Sequence, residues 1–350
     1  MTIVFFSRYF YPHIGGVEKH VLNISKELIK KKHKVIVITE KSNFKDKEIE
    51  QYKDITIYRI PITTSEKRKK FLIWKWLLLH RSIISDSDIV HAHDVFYWYL
   101  PFKMIYPSKK VYMTIHGYEG NKMPTRKSKI SHKINAILSS GNISIGSFLE
   151  KWYGIKATYI SYGAVAVQDK KPIISYPKKG VIKALFIGRL EPETGIMEYL
   201  KFIDLMRKDN ISITIIIAGD GSLRNEAIEY VKVKKIKATF LGFVNDPQKY
   251  FSKVDIVFTS RYLGILESLL GKKRVYAFYN NAIKKDYLQM SSFSQFINIA
   301  KSIKQMRLLL LNDKANENLY KASINQGYAF ALEQSWQKLT LLYIKLWGKK

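Results

Sequence analysis

Two α/β domains in tandem, each a parallel sheet wound on both faces by helices, are what this sequence predicts. Three observations predict them. Short apolar runs alternate with helical patterns through most of the chain, the signature of parallel strands joined by helical crossovers. The alternation breaks once, in a lysine- and proline-rich stretch between Gln168 and Gly180, and then restarts. At 350 residues the chain is long enough for two cores.

The first half places strands at Thr2–Phe6, Val35–Thr39, Ile55–Ile60, Asp88–His91, Val111–Ile115 and Asn142–Ile145. Val17–Lys30 and Lys70–Ile84 carry apolar residues at helical spacing. Pro172, Pro177, Gly180 and their lysines read as an interdomain linker. Beyond it, strands are expected at Val181–Ile187, Ser212–Ala218, Ala238–Leu241, Asp255–Phe258 and Arg274–Phe278, with helices at Gly195–Arg207 and Ser222–Val231. Lys301–Lys350 reads as helical, with an apolar stripe of Trp336, Leu339, Leu342, Ile344 and Leu346. The expected domains are 1–167 and 168–330, with 331–350 a helix packing back on the first. In such an architecture the natural ligand site is the cleft between the domains.

Composition narrows the chemistry. The chain is 47% hydrophobic and 13% aromatic, as a globular protein should be. It has no cysteine, which excludes disulfides, thiolate metal ligands and a thiol nucleophile. The net charge of +30 favours an anionic partner, although abundant lysine, isoleucine, asparagine and tyrosine also reflect compositional bias. No apolar run reaches the roughly 18 residues that cross a bilayer. The first residues enter a strand without the layout of a signal peptide, so the expected location is cytoplasmic.

The most informative segment is Ser7–His20. It joins the first strand to the first helix through Gly15-Gly16, where the absence of Cβ atoms lets a ligand approach the backbone. The helix N-terminus behind it suits a phosphate. By itself such a junction is equally a tight turn without a ligand. His91 and His93 lie on one face of a strand, as a metal pair would. With Asp94 expected on the opposite face and no third histidine near in sequence, a packed strand end is the reading.

Taken in order, the junctions resemble the family 4 glycosyltransferases. The likeness rests on Tyr11-Pro12-His13-Ile14-Gly15-Gly16-Val17-Glu18, Lys32–Thr39, Asp88–His93, Thr114-Ile115-His116-Gly117 and Ile160–Ala164. In the second half it continues with Phe186-Ile187-Gly188-Arg189-Leu190, Ala218-Gly219-Asp220-Gly221 and Leu241–Val244. The resemblance covers nearly the whole chain and implies the GT-B fold, with two facing Rossmann-like domains. It implies a nucleotide diphosphate sugar as donor, held mostly by the second domain, an acceptor held by the first, and transfer with retention and without a metal or other cofactor. Arg189 would neutralise the leaving diphosphate, helped by backbone at Gly15, Gly16, Leu263, Gly264 and Ile265. Glu267 would bind the ribose hydroxyls, backbone near Val244 the base, and His116 the transferred sugar.

Two departures bear on catalysis. The family's first glutamate, eight positions before Glu267, is missing from a shortened Thr259–Ser268 stretch. Threonine (Thr194) stands where a lysine usually pairs with the arginine. Arg261, Lys272 and Lys273 are the cations the sequence offers as replacements. These losses keep a second reading open, a non-catalytic relative that binds nucleotide sugar or glycan. A dinucleotide oxidoreductase is a poor match, since no Gly-x-Gly-x-x-Gly follows the first strand.

Lys67–Arg81 joins a cationic cluster to Trp74 and Trp76, and Lys122, Arg126, Lys127, Lys129 and Lys133 add charge to the same half. For the tryptophans the reading is a helix whose apolar face packs on the sheet, although such a segment can also lie at a membrane surface. The charge is that of a face on an anionic membrane, with lipid-linked acceptors to match. The expected placement is peripheral, on the inner face of the membrane. No recognised nucleic-acid module appears. The sequence therefore predicts a hexosyltransferase of cell-envelope polysaccharide or glycolipid synthesis.

Overall fold

The computed structural model describes the chain except residues 14, 63–65, 118–122, 168–171, 178–179 and 349–350. Its strands are β1 (Thr2–Ser7), β2 (Lys34–Glu40), β3 (Ile49–Tyr52), β4 (Ile55–Ile60), β5 (Ile89–His93), β6 (Val111–Ile115), β7 (Gly141–Ile145) and β8 (Tyr159–Ser161). They continue with β9 (Ile182–Ile187), β10 (Ile213–Ala218), β11 (Ala238–Gly242), β12 (Ile256–Phe258), β13 (Arg274–Phe278) and β14 (Asn298–Ala300). The chain divides into two units. One runs to Ser161 and takes in the segment from Trp336; the other runs from Tyr162 to Ser335.

In the first unit the strand order is β3-β4-β2-β1-β5-β6-β7-β8. All neighbours are parallel except β3, which pairs antiparallel with β4 at the edge. Strands β1, β5 and β6 are buried almost throughout, as strands covered on both faces must be. The sequence pattern misses β3, whose Ile-Glu-Gln-Tyr has no apolar run, and β8 and β14, each of three residues.

The expected helix Lys70–Ile84 is two helices, Glu66–Leu79 and Arg81–Ser85. His80 interrupts them. Its N–H is shared between the Trp76 and Leu77 carbonyls, and its Nδ1 also reaches the Trp76 carbonyl at 2.8 Å. The C-terminal stretch is three helices, Ile303–Ala315, Glu317–Leu332 and Trp336–Trp347. The last packs against helix Gly16–Lys30 of the first unit. Its buried residues are Trp336, Leu339, Thr340, Tyr343, Leu346 and Trp347, so Tyr343 and Trp347 replace Leu342 and Ile344 on the expected stripe.

The second sheet runs β11-β10-β9-β12-β13-β14, parallel throughout. Beneath it, Arg274 holds both oxygens of Asp313 at 2.8 and 3.0 Å, and Tyr276 Oη and Asn298 Nδ2 donate to the same carboxylate. This buried pair ties β13 and β14 to helix Ile303–Ala315 with its hydrogen bonds satisfied, the condition under which burying charge is tolerable.

The proposed linker is corrected in part. Residues 168–171 and 178–179 of it lie outside the described residues. The rest is strapped to the second unit. Ser175 Oγ donates to Asp255, Tyr176 Oη to the Lys314 carbonyl at 2.7 Å, and Tyr320 Oη to the Ser175 carbonyl at 3.0 Å. The chain changes unit earlier, at Ser161/Tyr162.

Candidate functional site

Among its parallel strands each sheet reverses its order once, between β1 and β5 in the first unit and between β9 and β12 in the second. At such a point the loops leaving the two strands diverge and open a crevice at their C-terminal ends. The sequence motifs fall on these loops.

In the first unit, Gly15 caps helix Gly16–Lys30 in an extended conformation. A Cβ on Gly15 would come within 2.5 Å of Glu18 Oε2, whereas one on Gly16 would meet nothing within 4 Å. Glu18 folds back over the helix start and pairs with His13 at 3.2 Å. The positive end of the helix thus already has a carboxylate beside it, and Gly16 is the open position.

The ends of β5 and β6 carry His91, His93 and His116, and His20 of helix Gly16–Lys30 joins them. The ring centroids of His20 and His116 are 4.6 Å apart and those of His93 and His116 are 5.1 Å apart. The reading that no third histidine is near His93 is therefore corrected. The fold supplies two, from positions far away in sequence.

Hydrogen bonds set the protons of this cluster. The indole of Trp347 can only donate, and it donates to His91 Nδ1 at 3.1 Å. Burial holds His91 neutral, its pKa pushed well below the usual histidine value, so its proton sits on Nε2. Nε2–H donates to Thr114 Oγ1 at 2.8 Å. The Thr114 hydroxyl donates to Tyr343 Oη at 2.7 Å, and Tyr343 to His20 Nε2 at 2.9 Å, the one direction that leaves no donor in this chain unpaired. His20 therefore carries its proton on Nδ1, and burial lowers its pKa to about 3. His93 Nδ1 faces His116 Nε2 at 2.8 Å, and the His116 backbone N–H donates to Asp94 Oδ1 at 2.8 Å, fixing the strand end that carries the ring.

One ring nitrogen from each of His20, His93 and His116 lies within 4.8 Å of the other two, close enough for a metal ion to gather. The relay works against this. It occupies one His20 nitrogen and protonates the other, and His93 and His116 spend their facing nitrogens on each other.

In the second unit, Arg189 follows β9 and Arg261 follows β12, the two strands at the reversal. Both guanidinium groups reach the same carboxylate oxygen, Glu193 Oε1, at 2.6 and 3.2 Å. Arg189 remains largely exposed. Behind them Lys284, 1% exposed, donates to the Ser260 carbonyl and lies over the Tyr287 ring at 4.4 Å. Burial, then the charge of Arg261, pushes its pKa well below the usual lysine value. The Gly219-Asp220-Gly221 turn braces the Arg189 loop. A Cβ on Gly219 would stand 1.8 Å from the Gly188 carbonyl oxygen, and Leu190 N–H donates to the Asp220 carbonyl at 2.9 Å. Glu191, bonded to Ser222 N–H and Oγ, ties the same loop down.

Comparison with known proteins settles what carries this geometry. Residues 14–141 match the model for glycosyltransferase family 4, and residues 167–269 match that for glycosyl transferases group 1. The chain belongs to glycosyltransferase family 4. An uncharacterized glycosyltransferase of Methanocaldococcus jannaschii is 26% identical over 73% of this chain and 70% of its own. The gpi3 subunit of phosphatidylinositol N-acetylglucosaminyltransferase from Schizosaccharomyces pombe is 25% identical over 69% of this chain and 56% of its own. Among solved structures, sucrose-phosphate synthase from Thermosynechococcus elongatus superimposes with a TM-score of 0.78 at 12% identity, covering 99% of this chain and 98% of that one. The fold is GT-B.

In this glycosyltransferase Arg261 is the sequence-named cation that stands beside Arg189. Lys272 lies instead over the Tyr328 ring, and Lys273 is buried, donating to the Ile173 carbonyl. Lys284 went unnoticed because nothing local marks a lysine for burial. Of the three backbone groups expected at the diphosphate, Ile265 N–H is already committed to the Arg261 carbonyl at 2.9 Å. Leu263 and Gly264 sit in the first helical turn, where N–H groups lack intrahelical acceptors. Glu267 is buried in the same helix, and Val244 is half-buried beyond β11.

The two tryptophans, Trp74 and Trp76, are half-buried and engaged within the first unit, as a helix packing on the sheet requires. Trp74 donates its indole N–H to the Tyr97 carbonyl at 2.9 Å, and Trp76 stacks on His80 at 4.0 Å. Lys122 lies outside the described residues. Among the described residues no helix is long and apolar enough to cross a membrane.

Proposed function

We propose that this glycosyltransferase moves a hexose-type sugar, with retention of configuration, from a nucleotide diphosphate sugar to a glycan or lipid-linked acceptor of the cell envelope, working at the inner face of the membrane. The observation that carries the reading is the convergence of Arg189 and Arg261 on Glu193 where the second sheet reverses. Two forked cations there suit a diphosphate, and an arriving diphosphate would take both from the single carboxylate. Arg261 then replaces the lysine that Thr194 displaced, which favours an active enzyme over a non-catalytic relative.

The leaving diphosphate gathers negative charge as its bond to the sugar breaks. Cations already held at that place stabilise it without reorganising. Backbone at Gly16, Leu263 and Gly264 adds N–H donors in this reading, Glu267 takes the ribose and the Val244 backbone the base. His116 would hold the sugar. The tautomer that gives the His93 proton to Nδ1 leaves a lone pair rather than an N–H unpaired at His93 Nε2, which is buried with no partner. His116 then accepts at Nε2 and offers its Nδ1–H to a sugar hydroxyl. With His20 protonated at Nδ1 and His93 and His116 bonded to each other, transfer in this reading proceeds without a metal.

Titrating the protein with a panel of nucleoside diphosphates, alongside incubation with labelled nucleotide sugars, tests it. One diphosphate should bind, Arg189→Ala should weaken it by at least about tenfold, as loss of a charged hydrogen bond requires, and Glu193→Gln should strengthen it. His116→Ala should abolish sugar transfer while leaving diphosphate affinity nearly unchanged. Affinity indifferent to Arg189 would overturn the reading. Binding with neither transfer nor slow donor hydrolysis would establish the non-catalytic relative.

A further inference from the structure

One helix of the first unit faces the wrong way for an ordinary amphipathic helix. No residue of Arg126–Leu138 is buried, and its isoleucines point outward, Ile130, Ile134 and Ile137 being 58%, 47% and 80% exposed. At about 100° per residue these three fall within an arc of about 60°. Arg126 and Lys133 flank the arc on one side and Lys127 on the other, with Lys129 farther round. The opposite side is polar and faces the protein. Ser128, His132 and Asn135 are half-covered, and the His132 ring packs against Tyr153 at 4.7 Å. Thr125 caps the helix by accepting from Ser128 N–H at 3.1 Å.

An outward apolar stripe between cations needs a cover that is apolar within and anionic at its surface. A second copy of the chain fits poorly, because it would set the same four cations against these, in a helix without a single Asp or Glu and a chain of net charge +30. A nucleic acid would use the cations and leave the isoleucines wet. An anionic bilayer uses both, taking the isoleucines to the acyl boundary and the lysines to its headgroups. With 13 residues the helix is about 20 Å long, too short to span and suited to lie in the surface plane.

We propose that helix Arg126–Leu138 is the element that docks this glycosyltransferase on an anionic lipid surface. The proposal rests on the membrane part of the reading above and gives it a location. It places the membrane face on this helix rather than on the one that carries Trp74 and Trp76.

Sedimentation of the full chain with vesicles tests it, comparing phosphatidylcholine alone with phosphatidylcholine containing phosphatidylglycerol, at low and high salt. The protein should partition onto the anionic vesicles only, and less as salt rises. Ile130→Ser, Ile134→Ser and Ile137→Ser together should reduce that partition by about tenfold or more, with unchanged circular dichroism. Arg126→Gln, Lys127→Gln, Lys129→Gln and Lys133→Gln together should reduce it on the order of a thousandfold. Equal partition of the serine variant and the parent would overturn the proposal, leaving only diffuse charge attraction. So would a parent that is dimeric in solution and becomes monomeric in the serine variant. Nucleoside diphosphate affinity, measured on the same variants, should not change, which separates failure of the docking helix from failure of the transfer reading.

Discussion

Tyr343 shows what a single side chain does in this molecule. Its hydroxyl accepts from Thr114 and donates to His20, a residue 323 positions away in the chain. Replacing it by Phe keeps the ring, which lies 4.8 Å from His91, and removes only the oxygen. The Thr114 donor and the His20 acceptor are then buried without partners, each costing about 1–3 kcal/mol. Tyr343→Phe should therefore lower stability by about 2–4 kcal/mol in urea unfolding. It should also release the His20 proton from Nδ1, visible in the imidazole 15N shifts. An unchanged midpoint and unchanged shifts would mean that the relay does not set the proton. At the residue scale the motif positions were legible, Arg189 and His116 among them. What they touch was not, since Glu193 and His93 looked like ordinary loop and strand residues until the fold brought them to 2.6 and 2.8 Å.

Among elements, helix Trp336–Trp347 and strands β5 and β6 act together by enclosing four histidines. All four pKa values are lowered chiefly by burial, that of His20 to about 3. The unfolded chain takes up protons near pH 6.5 and the folded chain does not, so the unfolded state binds more protons between those values. Stability from this source is complete above about pH 6.5 and is lost as the pH falls through and below it. His20 alone should remove about 3 kcal/mol between pH 7 and pH 4, at 1.36 kcal/mol per unit. Urea unfolding of the parent and of His20→Gln across that range checks this. The variant should lose less stability on acidification, and parallel curves would place the acid sensitivity elsewhere. The strands themselves were readable because a strand covered on both faces needs a continuous apolar run. β3, β8 and β14 were not, being too short or too polar to leave one. The linker failed as a reading because proline and lysine mark irregular backbone without saying whether it is strapped down.

For the whole molecule, charge dominates. Fifty-nine Lys and Arg against 29 Asp and Glu leave +30, and the cations repel one another across the surface. Raising the salt from about 20 to about 300 mM shortens the screening length from over 20 Å to under 6 Å. The thermal midpoint should rise over that range. A midpoint that falls would show that ion pairs such as Arg274–Asp313 and Arg307–Asp209 outweigh the repulsion. The sequence alone determined two α/β units, the longer parallel strands of each and the loops on which the motifs fall, because buried strands and glycine turns are encoded over a few neighbouring residues. Tertiary structure alone decided the histidine relay, the partnership of Arg261 with Arg189, the burial of Lys284 and the outward turn of the isoleucines. Each of these depends on residues or surfaces that meet only in space, where side-chain chemistry is spent or left available by packing.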